Sequence, residues 1–205
     1  MTIQAIYFDI GGVLVRTEQR APRAALAQRL GMTYETLDEL VFGGAQGRRA
    51  QCGEVRAEDH WAFICQQLGW PLEDWLALQK EFFAGDRLDE NLVNLARRLH
   101  RRYRTGIISN AFSDVRATLH QRWQMADAFD VLIFSAEVGV MKPDPVIYRA
   151  ALQALRIQPE QALFIDDFAH NVEGARAVGM QAIHFRSPEQ AQEELKQFLA
   201  PEDLV

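Results

Sequence analysis

Three carboxylates, a hydroxyl, a carboxamide and an ammonium stand in this chain at the ends of apolar runs or just beyond them. Asp9 closes the run AIYFD (5–9) and opens onto Gly11-Gly12; Ser109 and Asn110 end and follow YRTGIIS (103–109); Asp166 and Asp167 end and follow ALFID (162–166); Lys142 lies in GVMKPDPVIY. A buried aspartate without a partner costs several kcal/mol, so a metal, a set of backbone N–H groups or a catalytic task should be waiting for Asp9. The adjacent Asp166 and Asp167 repel one another unless a cation sits between them. Each residue also has a plainer use. An aspartate at a strand end can cap a turn, Ser109 and Asn110 could cap a helix from Phe112, and Lys142 could be an ordinary solvated lysine.

The elements that position these residues follow from the hydrophobic pattern. The three runs above, with VLIFS (131–135) and QAIHF (181–185), are β-rich, and each is followed by an amphipathic segment. That alternation predicts a parallel sheet wrapped by helices. Ligands of a doubly wound sheet collect at the carboxyl ends of its strands, so the six residues should share one rim. Lys142 joins it from the segment between the third and fourth core strands, where a proline is suited to opening the next helix. The stretch between Asp9 and Tyr103 is far longer than one crossover needs, so an insertion is expected there. Trp61, Ile64, Cys65 and Leu68 form a helical stripe, and Trp75, Leu78 and Phe82 continue one after Gly69-Trp70-Pro71. The insertion reads as a small helical bundle at 16–87, with a core at 1–15 and 88–205 that resumes in a helix at 89–101. The loop around Phe42-Gly43-Gly44 is expected to govern specificity.

With 48% hydrophobic residues among 205, the chain can bury a full core, and its net charge of -6 argues against nucleic acid or an acidic membrane surface as partner. No apolar run is long enough to span a membrane and no leader pattern opens the chain, so the expectation is a cytoplasmic protein with a small-molecule partner. Cys52 and Cys65 fit no metal or redox spacing. The basic cluster RRLHRRYR (97–104) reads as the solvated last turn of a helix.

FDIGGVL, IISN, the lysine of MKPDPVIY and FIDDFAHNVEGARAVGM together resemble, in this order, the four motifs of the haloacid dehalogenase-like hydrolase superfamily, of its helical-cap phosphatase type. The resemblance implies a Rossmann-like α/β core with helices on both faces of a parallel sheet and a small all-α cap after the first strand. It implies that Asp9 attacks phosphorus in line to give an aspartyl-phosphate, and that Mg²⁺ is held by Asp9, the Gly11 carbonyl, Asp167, and Asp166 directly or through water. Ser109, Asn110 with its neighbouring backbone N–H groups, and Lys142 would grip the phosphate, and Lys142 would also offset carboxylate repulsion. Asn171 would tie down the loop carrying Asp167, and His170 is a further residue near it. The implied activity is Mg²⁺-dependent hydrolysis of a small phosphate ester such as a sugar phosphate.

One position departs from that pattern. Phosphatases of this family usually carry a second aspartate, the general acid and base, where this chain has Gly11. A general acid is worth about 10²- to 10⁴-fold, so leaving groups of low pKa are expected here: sugar 1-phosphates, aryl or acyl phosphates. A glycine at φ > 0 would oppose restoration of the acid. Two further readings remain: a metal-independent 2-haloacid dehalogenase, which also lacks that aspartate, and a protein that binds a phosphorylated ligand or a partner without catalysis.

Overall fold

The computed structural model describes residues 2–200. In chain order the strands are β1 (Ala5–Phe8), β2 (Val15–Thr17), β3 (Asp86–Leu88), β4 (Arg104–Ser109), β5 (Val131–Phe134), β6 (Ala162–Asp166) and β7 (Gln181–His184). The helices are α1 (Ala21–Arg29), α2 (Tyr34–Phe42), α3 (Gly44–Gln51), α4 (Ala57–Leu68), α5 (Trp75–Phe82), α6 (Glu90–Leu99), α7 (Val115–Gln121), α8 (Ser135–Val138), α9 (Pro145–Leu155), α10 (Ala169–Ala177) and α11 (Pro188–Leu195). None of them is long and apolar enough to cross a membrane.

Five strands form one parallel sheet in the order β5-β4-β1-β6-β7. Every residue of β1 and β6 is buried, as expected for strands covered on both faces. One apolar layer joins Ile6, Phe8, Ile107 and Leu163 to α6 and α11; the other joins Tyr7, Ile108 and Phe164 to α9 and α10. The chain leaves β1 toward β4 and β5 and later returns to its other side as β6 and β7. The order of strands therefore switches at β1, and the crevice beyond the ends of β4, β1 and β6 is where the fold can hold a ligand.

Between β1 and β4, helices α1 to α5 close around their own apolar cluster, with Trp61, Ile64, Cys65, Leu78 and Phe82 at its centre. The helical stripe read from the sequence is thus the inner face of this cap. Entry and exit run through an antiparallel ribbon, β2 with β3, in which Arg16 faces Arg87. This ribbon was not foreseen, because three-residue strands carry no readable alternation. A single buried cation ties it to the cap. Arg23 lies 3.9 Å over the Phe82 ring, donates to the Phe82 carbonyl at 3.1 Å, and reaches Asp38 at 2.6 Å, Asp86 at 3.2 Å and the Thr17 hydroxyl at 3.4 Å.

Replacing Arg23 with Met would keep most of the packing but take the cation from Asp38 and from Asp86, to which the Thr17 hydroxyl alone would still donate, at 2.7 Å. Asp38 is 40% exposed and can turn to water, so the expected loss is the lower end of the range for breaking a buried pair, about 3 kcal/mol, read from the urea midpoint. A loss below about 1 kcal/mol, the range of exposed pairs, would show that the ribbon is held by other contacts.

Candidate active site

Asp9 follows β1, Ser109 ends β4, and Asp166 ends β6, so in-register pairing of these strands brings the three side chains to one rim. Asp9, Ser109 and Asp166 are 5%, 2% and 0% exposed. Lys142 reaches the rim from the loop before α9 and is itself 3% exposed. Its Nζ lies 2.9 Å from Asp9 Oδ1 and 2.6 Å from Asp166 Oδ2, and donates to the Ile108 carbonyl at 3.0 Å. An ammonium has three protons, and these three contacts use them all. In this arrangement Lys142 is a bridge between carboxylates, and a direct hold on a phosphate would require it to exchange one of those partners.

Asn110 has a task beyond the one expected of it. Its carboxamide pairs with the backbone of Lys142, accepting from the Lys142 N–H at 2.7 Å and donating to the Lys142 carbonyl at 3.1 Å. The side chain therefore fixes the lysine loop against β4, and this pairing engages one of its two amide protons. The next backbone N–H, of Ala111, donates to the Ser135 hydroxyl at 2.9 Å. Neither Ser109 nor Asn110 caps a helix, since α7 starts only at Val115. Ser109 instead stands by Asp9, whose carboxyl its hydroxyl helps to hold down. The helix after Lys142 is opened by Pro145, with the Asp144 side chain accepting from the Val146 N–H at 2.8 Å.

Asp166 is saturated. Besides Lys142, it accepts the Phe168 N–H at 2.8 Å and the Asn171 carboxamide at 3.0 and 3.2 Å on its two oxygens. Asn171 thus holds Asp166, where the sequence suggested the backbone of the Asp167 loop. The loop is held elsewhere: the Asp167 carbonyl lies 2.9 Å from His184 Nε2, and the Tyr148 hydroxyl donates to the Asn171 carbonyl at 2.8 Å. The sequence signal that points to His184 is its register, opposite Asp166 at the end of β7. His170 stays exposed on the first turn of α10, against the Phe168 ring at 5.4 Å.

Asp167 differs from Asp166 in having a buried oxygen, Oδ1, with no hydrogen-bond partner. It sits against the turn after β1. A Cβ on Gly12, whose φ is +77°, would fall 2.1 Å from Asp167 Oδ2, so only glycine lets that carboxylate close in. Gly11 is unlike its neighbour: it is outside the left-handed region, and a Cβ built on it meets no atom within 4 Å. The strain feared for an aspartate at this position belongs to Gly12.

One oxygen each of Asp9, Asp166 and Asp167 falls within 4.8 Å of the others. Against these three carboxylates stands one ammonium. Burial, and then repulsion by Asp9 and Asp166, raises the Asp167 carboxyl to about 7. Asp9 rises to about 6, driven by burial and held back chiefly by Lys142. The orphaned Asp167 oxygen and the excess of negative charge fit a hard divalent cation with oxygen ligands such as Mg²⁺. Asp9 and Asp167 are the side chains with capacity to hold it, and the saturated Asp166 is better placed to act on it through water.

A family model for haloacid dehalogenase-like hydrolases matches residues 3–179. A phosphatase of Mycobacterium tuberculosis (strain CDC 1551 / Oshkosh) is 30% identical over 202 residues, covering 89% of this chain and 87% of that protein. Bifunctional epoxide hydrolase 2 of Sus scrofa is 28% identical over 96% of this chain, which spans only 39% of the pig protein's length. Among solved structures, a haloacid dehalogenase-like family enzyme from Bacteroides thetaiotaomicron, in complex with magnesium and inorganic phosphate, superposes with a TM-score of 0.75 at 18% identity, over 91% of this chain and 96% of that one. The match over most of the chain, the parallel sheet with its helical cap, and the convergence of three strand-end motifs with the Lys142 loop have one common explanation: this chain belongs to the haloacid dehalogenase-like hydrolases.

Proposed function

We propose that this hydrolase is a Mg²⁺-dependent phosphomonoester phosphatase whose nucleophile is Asp9. The observation that carries the reading is the unpartnered, buried Asp167 oxygen beside two further carboxylates and a single lysine. A dehalogenase that attacks carbon has no need of such a cation site. The phosphatase named among the relatives, at 30% identity, supports the same choice.

In this reading the Ile10 N–H at 2.7 Å and Lys142 at 2.9 Å pin Asp9 Oδ1 and aim the carboxylate. The carboxylate attacks phosphorus, the ester P–O bond breaks, and the leaving group departs with the bonding pair. Water then adds to the aspartyl-phosphate and frees Asp9 and inorganic phosphate. Asp9, Asp167 and the Gly11 carbonyl would hold Mg²⁺, which would supply positive charge for the phosphoryl oxygens. Ser109 contributes a hydroxyl beside the nucleophile, while Asn110 and Asn171 keep Lys142 and Asp166 in place. No carboxylate stands at Gly11 to protonate the leaving group. Substrates whose leaving oxygen departs unprotonated suit this site best: sugar 1-phosphates, aryl phosphates and acyl phosphates. We take its place of action to be the cytoplasm.

A panel of phosphate esters and 2-haloacids, assayed with Mg²⁺ and with chelator, tests the reading. Phosphate release that stops in chelator is expected, and halide release that persists in chelator would overturn it. Gly11 is the position at which the leaving-group dependence can be changed. For the wild type the rate should fall steeply as leaving-group pKa rises, and Gly11→Asp should flatten that slope. The gain should approach roughly 10²-fold for primary alkyl phosphates and be negligible for p-nitrophenyl phosphate. The open space at this position allows the variant to fold. A well-folded variant with an unchanged slope would mean that another group already donates the proton.

The raised carboxyls also set the pH dependence of the metal-free protein. Asp9 at about 6 and Asp167 at about 7 keep protons in the folded state that the unfolded chain releases near pH 4. Their contribution to stability is complete below about pH 4 and is lost as pH rises through 6 and 7. In chelator, the melting temperature should therefore decline between pH 5 and pH 8 by this contribution, and Mg²⁺ should raise it more at pH 8 than at pH 5. A Mg²⁺ effect that does not grow across that range would place the repulsion elsewhere.

A further inference from the structure

The five residues between β4 and α7 divide their contacts between the two parts of the molecule. Asn110 and Ala111 bond to the sheet side, through the Lys142 backbone and the Ser135 hydroxyl. Phe112, Ser113 and Asp114 bond to the cap. The Phe112 ring is 6% exposed and belongs to the cap's apolar cluster, stacked on Phe42 at 5.8 Å and 4.9 Å from the His60 ring. The Ser113 hydroxyl accepts the Ala57 N–H at 2.9 Å, supplying α4 with the N-terminal acceptor that Arg56 does not provide. Asp114 accepts from the Gln79 carboxamide at 2.8 Å. Beside this loop the cap touches the core again, where Gly53 leaves no room for a side chain: a Cβ there would fall 2.0 Å from the Ala136 carbonyl, next to Ser135.

We propose that Phe112 is a positioning residue. Anchored in the cap, it holds the loop that presents Asn110, and through the Asn110 carboxamide it holds the Lys142 bridge to Asp9 and Asp166. Cap docking and the geometry of the nucleophile are then one coupled unit, so loss of the anchor damages turnover even for a substrate too small to touch the cap. The kinetic side of this inference rests on the phosphatase reading; the structural side does not.

The test uses full-length Phe112→Ala, Phe112→Leu and Gln79→Ala. Amide hydrogen exchange is followed at Lys142 and Ala111, whose N–H groups bond to Asn110 and Ser135, with Ile183 in β7 as a remote control. Turnover is measured on acetyl phosphate, a small substrate, and on a bulky aryl phosphate. Phe112→Ala should speed exchange at Lys142 and Ala111 by roughly tenfold or more, with Ile183 unchanged. It should lower kcat on acetyl phosphate between about tenfold and 10²-fold with little change in KM, as expected when a reacting group is misplaced. Phe112→Leu should recover most of both, and Gln79→Ala should move both in the same direction by less. Gln79→Ala also carries the test if Phe112→Ala does not fold. Unchanged exchange at Lys142 and Ala111 would overturn the proposal. So would wild-type kcat on acetyl phosphate with a raised KM for the aryl ester alone, which would make Phe112 a wall of the leaving-group pocket. If the wild type hydrolyses neither ester, the phosphatase reading fails and the exchange data alone decide the role of Phe112.

Discussion

The Lys142 ammonium, closed between Asp9 and Asp166 and capped by the Ile108 carbonyl, is the interaction on which the remainder of the site depends. Two carboxylates at the ends of neighbouring strands cannot both be ionised in a dry crevice without a cation between them. With Lys142 in place, Asp166 can be fully buried and can act as a knot that gathers Phe168 and Asn171 and so starts α10. Asp167, one residue further on, is then left without a cation of its own. That imbalance is the physical reason to place a divalent ion between Asp9 and Asp167. The protein concentrates charge that its own side chains do not neutralise, and a phosphoryl group with its metal can use that concentration.

The fold's main lines were legible because the core strands are apolar runs, and three of the five, β1, β4 and β6, end in or lead directly into polar residues of functional type. A parallel sheet sends all such ends to one side, so strand-end reading alone gathered Asp9, Ser109, Asn110, Asp166 and Asp167. Which of them touch one another was not legible. Asn110 and Asn171 were placed beside the site but given other partners, because a carboxamide at a loop start has the same appearance whether it meets a ligand or a neighbouring backbone. Phe112 was read only as the start of a helix. Its burial in the cap depends on contacts with Phe42 and His60, distant in sequence, that no local pattern records. The β2–β3 ribbon and the Arg23 hub escaped for the same reason: their meaning lies in pairings across the whole insertion.

Gly11 and Gly12 answer different needs, although adjacent. Gly12 has a positive φ and yields its side-chain space to the Asp167 carboxylate, so the turn requires it. Gly11 is under no such constraint, and open space lies where a side chain would point. The backbone therefore does not dictate the absence of an acid at this position.

A divalent cation on Asp9 and Asp167 would complete the carboxylate cluster. Calorimetric titration of Mg²⁺ into the chelator-treated protein, for wild type and for Asp167→Asn, tests it most directly. One binding event is expected in the wild type, and its loss or severe weakening in the variant, with the variant's metal-free melting temperature at or above that of the wild type, because one source of repulsion is gone. Equal Mg²⁺ affinity in both proteins, or no binding to the wild type, would contradict it.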